Sequence, residues 1–151
     1  AGTSNLRLGV NAGDAIASGG NYNVVVGDEA GTAITTGDQN TAVGYRALQT
    51  NSTGGNNVAL GTYALDLNTT GASNTALGYL ALSANTTGTL NVAVGKDSMD
   101  SNTTGGSNTA VGVDSLQAGF WGFAEMLGNR MGVEGLENVG RANKEFNQNQ
   151  I

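Results

Sequence analysis

Apolar and polar residues alternate in short bursts along this chain, and the bursts recur at a fixed interval. Asn23, Asn40, Asn57, Asn74, Asn91 and Asn108 each open a similar pentapeptide, reading NVVVG, NTAVG, NVALG, NTALG, NVAVG and NTAVG, always 17 residues apart. The register persists downstream, where Leu48, Leu65, Leu82, Met99 and Leu116 each stand eight residues after their Asn. Then come Asn51, Asn68, Asn85 and Asn102, followed by Thr53, Thr70, Thr87 and Thr104 and by Gly54, Gly71, Gly88 and Gly105. The unit approximates N-[TV]-A-[VL]-G-x-x-[AS]-[LM]-x-x-N-[ST]-T-G-x-x. An earlier, looser copy, Asn5-Leu6-Arg7-Leu8-Gly9, precedes it at an interval of 18.

A unit of this length is too short for a helix-turn-helix repeat, which needs about 34 residues. Its alternating run and Gly/Asn/Thr corner predict one strand and one turn. Stacked units predict an all-β fold, a parallel β-solenoid or β-roll of 17-residue coils over residues 1–117. At about 4.8 Å per coil, six to seven coils make a body roughly 30 Å long. Alternate strand residues face opposite sides, so the bulkier Thr/Val and Val/Leu positions are expected to point inward. The predicted core is Val43, Leu48, Leu60, Leu65, Leu77, Leu82, Val94, Met99, Val111 and Leu116. The other side carries small residues such as Ala42 and Gly44, and two readings stand for it. It lies against a neighbouring chain, or the glycines are bend residues. Asn40, Asn57, Asn74, Asn91 and Asn108 are expected to form a corner ladder of amides along the axis, and Asn51, Asn68, Asn85 and Asn102 a second one.

Each coil offers few apolar side chains to bury, such as Val43, Ala47 and Leu48, against the ordering of seventeen residues. A single thin stack is therefore under-cored, which predicts association into an oligomer. Composition alone, with 25 Gly, 19 Asn, 19 Ala and 17 Thr, reads as low-complexity disorder, and the fixed period removes that reading. The absence of Cys and His excludes a Ser-His-Asp triad, a Cys nucleophile, a thiolate or imidazole zinc site and a disulfide. The aspartates lack the spacing of a calcium-binding nonapeptide roll. No pair of carboxylates stands out for glycoside hydrolysis. The reading is non-enzymatic, with no cofactor and no metal. A net charge of -6 with only six Lys and Arg argues against a nucleic-acid partner. The short apolar runs argue against membrane insertion. No signal peptide is visible, and the start at Ala1 suggests a processed or excised segment.

The run Ser107-Asn108-Thr109-Ala110-Val111-Gly112-Val113-Asp114-Ser115 resembles the head repeats of trimeric autotransporter adhesins of the YadA-like type. The unit N-T-A-V-G-Y-x-A-L…N-T-T-G looks more closely like repeats of bacteriophage tail-fibre and appendage proteins. The resemblance covers roughly residues 5–117. It implies a homotrimer of left-handed rolls about a common axis, forming a stiff fibre of a virion or an extracellular surface appendage. Its unit is slightly longer than the adhesin head repeat, so adhesin ligands do not transfer directly. The corresponding function is a structural rod that displays or docks a host-attachment end. The alternatives are an adhesin that recognises host-surface glycans and, less favoured, an ice-binding solenoid built on rows of Thr.

After Leu116 the period stops. Residues 118–151 hold the single Trp, all three Phe and two of the three Met. Phe120, Trp121, Phe123, Met126 and Leu127 are spaced as one apolar side of a helix, so this segment is predicted to be partly helical. Three readings compete for it: a cap on the open end of the solenoid, a segment docking onto other virion or appendage proteins, or a receptor-binding tip. Within the rod, the variable positions after each pentapeptide, including Tyr45/Arg46, Thr62/Tyr63 and Tyr79/Leu80, are expected to face solvent. Tyr45, Tyr63 and Tyr79 are either a sugar-stacking strip or surface aromatics that support adjacent coils.

Overall fold

The computed structural model describes residues 4–16 and 19–117, all within one compact unit. The predicted C-terminal segment, 118–151, lies outside the described residues, and with it Phe120, Trp121, Phe123, Met126 and Leu127. Seven three-residue strands follow one another: β1 (Leu6–Leu8), β2 (Val24–Val26), β3 (Thr41–Val43), β4 (Val58–Leu60), β5 (Thr75–Leu77), β6 (Val92–Val94) and β7 (Thr109–Val111). They form one parallel sheet in chain order, so each strand pairs with the one a coil before and the one a coil after. The register is constant, with Thr41 beside Val58, Thr75 beside Val58 on the other side, and so on along the stack. The Val58 amide donates to the Asn74 carbonyl at 2.8 Å, and the Gly61 amide donates to the Val43 carbonyl at 2.9 Å. Parallel strands need a long connection. Here the rest of each 17-residue coil supplies it, and the chain is a β-solenoid.

The two faces of the strands are reversed from the sequence expectation. Ala42, Ala59, Ala76, Ala93 and Ala110 are buried. Val43, Leu77 and Val94 are only half-buried, while Leu60 is 47% and Val111 69% exposed. These five are therefore not core. The reason is the narrow bore of the coil. Leu48, Leu65, Leu82 and Met99 are fully buried and enter the lumen from the turn side, and Leu116 packs partly against the same cluster. Once a Leu fills each layer, the strand has room for a methyl group and no more.

The turn that delivers these leucines is unusual in its backbone. Arg46 and Leu48 both have φ of 56°, and the pattern repeats at Tyr63 and Leu65, at Leu80 and Leu82, and at Asp97 and Met99. A left-handed side-chain-bearing residue costs about 1–2 kcal/mol. What holds it is the ladder between coils: the Leu48 amide donates to the Ala64 carbonyl at 2.9 Å, and the Arg46 amide donates to the Asp28 carbonyl at 3.1 Å. The strand ends at Gly44, where φ is 130° and a Cβ would stand 2.7 Å from the Gly61 carbonyl carbon. Gly44 is thus a bend residue, and the backbone that comes close to it belongs to the next coil of the same chain.

The first two coils solve the packing differently. Val25 takes the strand-centre position, Gly31 the place of the buried leucines, and Ile34 the place of Asn51 and its equivalents. A Cβ on Gly31 would meet Val25 at 2.6 Å and Ile34 at 2.8 Å, so those two side chains occupy the space that Leu48 fills one coil later. In β1 the strand-centre residue is Arg7, exposed at the end of the stack, with Nη1 donating to the Gly13 carbonyl at 2.8 Å. A charge in the inward column blunts this edge against pairing with another strand.

Candidate functional site

Three surfaces run parallel to the axis, and each is set by where a column of the repeat points. The first is the outer face of the sheet. Its two columns are Leu6, Val24, Thr41, Val58, Thr75, Val92 and Thr109, and Leu8, Val26, Val43, Leu60, Leu77, Val94 and Val111. These side chains flank the inward residue on every strand and so stand on the opposite side of the sheet. No charged or amide side chain interrupts either column. The result is a continuous apolar strip along all seven strands, broken only by three Thr hydroxyls.

The corner asparagines lie inside and not on a surface. Asn40 donates its backbone amide to Asn23 Oδ1 at 2.8 Å and its Nδ2 to the Gly54 carbonyl at 3.0 Å. Asn57, Asn74, Asn91 and Asn108 repeat the amide-to-Oδ1 bond at 3.0 Å each. The second column runs Asn68 to Asn51 and Asn85 to Asn68 at 2.8 Å, then Asn102 to Asn85 at 3.1 Å. Asn51, Asn68 and Asn85 are fully buried with their amides satisfied, which is what burial of such a group demands. These residues are occupied in holding the stack.

The second surface is an aromatic and charged flank. Tyr45 and Tyr63 pack edge to face with ring centres 5.4 Å apart, and Tyr63 and Tyr79 do so at 6.3 Å. The Arg46 guanidinium lies 5.3 Å from the Tyr45 ring centre and pairs with Glu29 at 2.7 Å, where Gln49 also donates. The expected solvent-facing positions do reach solvent here, with Tyr45 38% and Tyr79 46% exposed. Desolvation pushes the Tyr45 hydroxyl and the Asp66 carboxyl upward, and the Arg46 charge partly opposes both. Asp66 Oδ1 is buried and accepts no hydrogen bond. Further along the flank Lys96 pairs with Asp97.

The third surface is a bend carrying paired Thr rows. Ser52, Thr69 and Thr86 spend their hydroxyls on the carbonyl one coil ahead, at 3.0 Å each. Thr53, Thr70, Thr87 and Thr104 are exposed beside them. One free hydroxyl row on a bend is a poor lattice match compared with a flat face bearing two.

Comparison with protein-family models, with curated proteins and with solved structures finds no match to the chain. Among the described residues no group of three His, Cys, Asp or Glu could hold a metal ion. No helix there is long and apolar enough to cross a membrane.

Sequence reasoning missed the outer strip because alternation alone does not say which face is inside. One signal was present: Thr41, Thr75 and Thr109 share a column with Val24, Val58 and Val92. A lumen hydroxyl sits where it finds a partner, as Ser98 does in Ser115 one coil on at 2.9 Å, and a Thr that alternates with Val has no such neighbour in the next coil, so that column belongs outside. The Glu29–Arg46–Gln49 network was also missed, since it joins residues 17 and 20 apart with no local motif.

Proposed function

We propose that this chain is a structural, non-enzymatic rod: a segment of a homotrimeric fibre, of the kind found in phage tails and extracellular appendages. Its work is mechanical. It holds a display or docking end, with residues 118–151 as the candidate, away from a virion or cell surface. The observation that carries this reading is the unbroken axial bonding of the stack. Every coil is tied to the next by backbone bonds, and a buried Asn ladder runs from Asn23 to Asn108 without a gap. Such cross-linking along a single direction suits a load-bearing spacer. The buried amides specify the register within each coil as well, because shifting a coil by a residue or two leaves them unpaired.

The test is localisation of the native protein. Antibodies raised against residues 23–111 should decorate thin fibres on virions or cells from the source, with the label repeating on each fibre. Label confined to the soluble cell interior overturns the reading.

A second reading, adhesion to glycans, is favoured by one feature: the half-exposed Tyr45, Tyr63 and Tyr79 with Arg46 and Glu29 beside them. Aromatic rings with flanking charged groups suit sugar stacking and hydroxyl recognition. Glycan-array binding by the full chain that disappears in Tyr63→Ala would support it, and a blank array would remove it.

A further inference from the structure

We propose that Tyr45 and Tyr63 form a site of oxidative cross-linking, where a haem peroxidase with hydrogen peroxide couples the two rings into a dityrosine. The new bond ties one coil covalently to the next. The site lies within one chain, so it stands apart from the fibre reading above.

Position, access and competition select this pair. Tyr63 stands 18 residues after Tyr45, one more than the repeat, and Tyr79 follows 16 later. The rings therefore step forward and back around successive coils of one flank. The Tyr63 amide donates to the Tyr45 carbonyl at 3.0 Å, which fixes the two backbones side by side. Their ring centres lie 5.4 Å apart, against 6.3 Å for Tyr63 and Tyr79. All three rings are partly exposed on the outside of the coil, where an oxidant reaches them. Little in the described rod competes for it. The chain has no Cys, and Met99, the single thioether among the described residues, is fully buried. Tyr22 is 62% exposed and makes no ring contact with the other three, so it serves as an internal control.

Each phenol gives up one electron and its hydroxyl proton, leaving a phenoxyl radical with spin density on the ring carbons beside the oxygen. The peroxide takes up the two electrons and two protons, its O–O bond breaks, and two waters leave. The radicals then pair, forming a bond between a Cε of Tyr45 and a Cε of Tyr63. Each of those carbons loses its hydrogen as a proton while each oxygen regains one, which restores both aromatic rings. Proximity decides the partner. Rings held in contact meet at an effective concentration that dilute separate chains do not reach. The product supplies a covalent rung to a rod that has no disulfide. A link across residues 45–63 also removes freedom from the unfolded chain, as a disulfide would.

The test uses the full chain, dilute and folded, treated with a haem peroxidase and hydrogen peroxide. The expected product shows dityrosine fluorescence and still runs as a single chain on a denaturing gel. Trypsin then cuts after Arg46 and Lys96, which leaves Tyr45 on peptide 8–46 and both Tyr63 and Tyr79 on peptide 47–96. The two peptides should appear joined, lighter than their sum by the two hydrogens lost. Tyr45→Phe and Tyr63→Phe should each abolish the joined species, whereas Tyr22→Phe and Tyr79→Phe should leave it. Phe keeps the ring packing, so these variants retain the fold. Unfolding the chain in urea before oxidation should also remove the joined species, with coupling of free tyrosine showing that the peroxidase still works. The cross-linked protein should unfold at higher denaturant than the untreated one. A joined species lost in Tyr22→Phe, or equally abundant from unfolded chain, overturns the proposal. So does dityrosine found only between chains, or oxidised Tyr45 and Tyr63 with no bond between them.

Discussion

The first two coils and the four that follow build the same bore from different residues. Residues 40–107 repeat Ala at the strand centre, Leu or Met in the turn and Asn at the corner, as in Ala42, Leu48 and Asn51. The coil before them uses Val25, Gly31 and Ile34, and the first described coil uses Arg7, Gly13 and Ile16. What is conserved is the filled volume of each layer, while the residue supplying it moves around the coil. The exchange has a polar consequence. The Asn23-to-Asn108 ladder crosses both regions, whereas the second ladder begins only at Asn51, because Ile34 holds its place one coil earlier.

The harshest way to break the repeated region is Leu65→Asp. It sets an unpaired carboxylate in a lumen with no cation, and the expected outcome is loss of the folded rod, read as insoluble protein or absent β signal. A sharper probe of the comparison converts one coil type into the other. Gly31→Leu alone should overpack against Val25 and Ile34 and cost about 1–3 kcal/mol in a denaturant melt. The triple change Val25→Ala, Gly31→Leu, Ile34→Asn should recover most of that, since it also adds a rung beneath Asn51. If the triple variant is less stable than the single one, volume exchange is not what relates the two regions.

Asn68→Ala should cost about 1–3 kcal/mol, because Asn51 Oδ1 and the Gly71 carbonyl lose their shared donor in a buried place. Ile34→Val at the equivalent position of the earlier coil should cost about 0.5–1.5 kcal/mol. Equal losses would deny the ladder any special part. On the flank, Tyr63→Ala removes two edge-to-face contacts and should cost at most a few kcal/mol, at about 0.5–1.5 kcal/mol each. The coil register should stay intact by hydrogen exchange.

The smallest effect concerns Asp66. Its folded-state carboxyl is raised by desolvation, so the folded chain holds the proton more tightly than the unfolded one. Stability therefore falls as pH rises from the ordinary carboxylate range through the raised value. Asp66→Asn should show less loss between mildly acid and neutral pH than the native chain in paired urea melts. An identical pH profile would contradict the burial of this group.

The fold was legible because a constant interval with Asn and Gly at fixed places permits little besides a stacked coil. The inside and outside of the strand were not, since in a three-residue strand such as Thr41–Val43 both faces alternate equally well. Size decided it: Leu48 arrives from a left-handed turn that no local pattern announces, and Ala42 is left to face it. The trade of Val25 and Ile34 for Gly31 was equally hidden, since it is a relation between columns of adjacent coils. A lone Gly31 in the sequence looks like any other bend.

Sedimentation equilibrium on the full chain tests the central claim most directly, that a thin rod completes its buried surface with copies of itself. The account predicts a single species of three times the 15.1 kDa chain mass that loses mass and β structure together on heating. A folded monomer with a sharp thermal transition would contradict it.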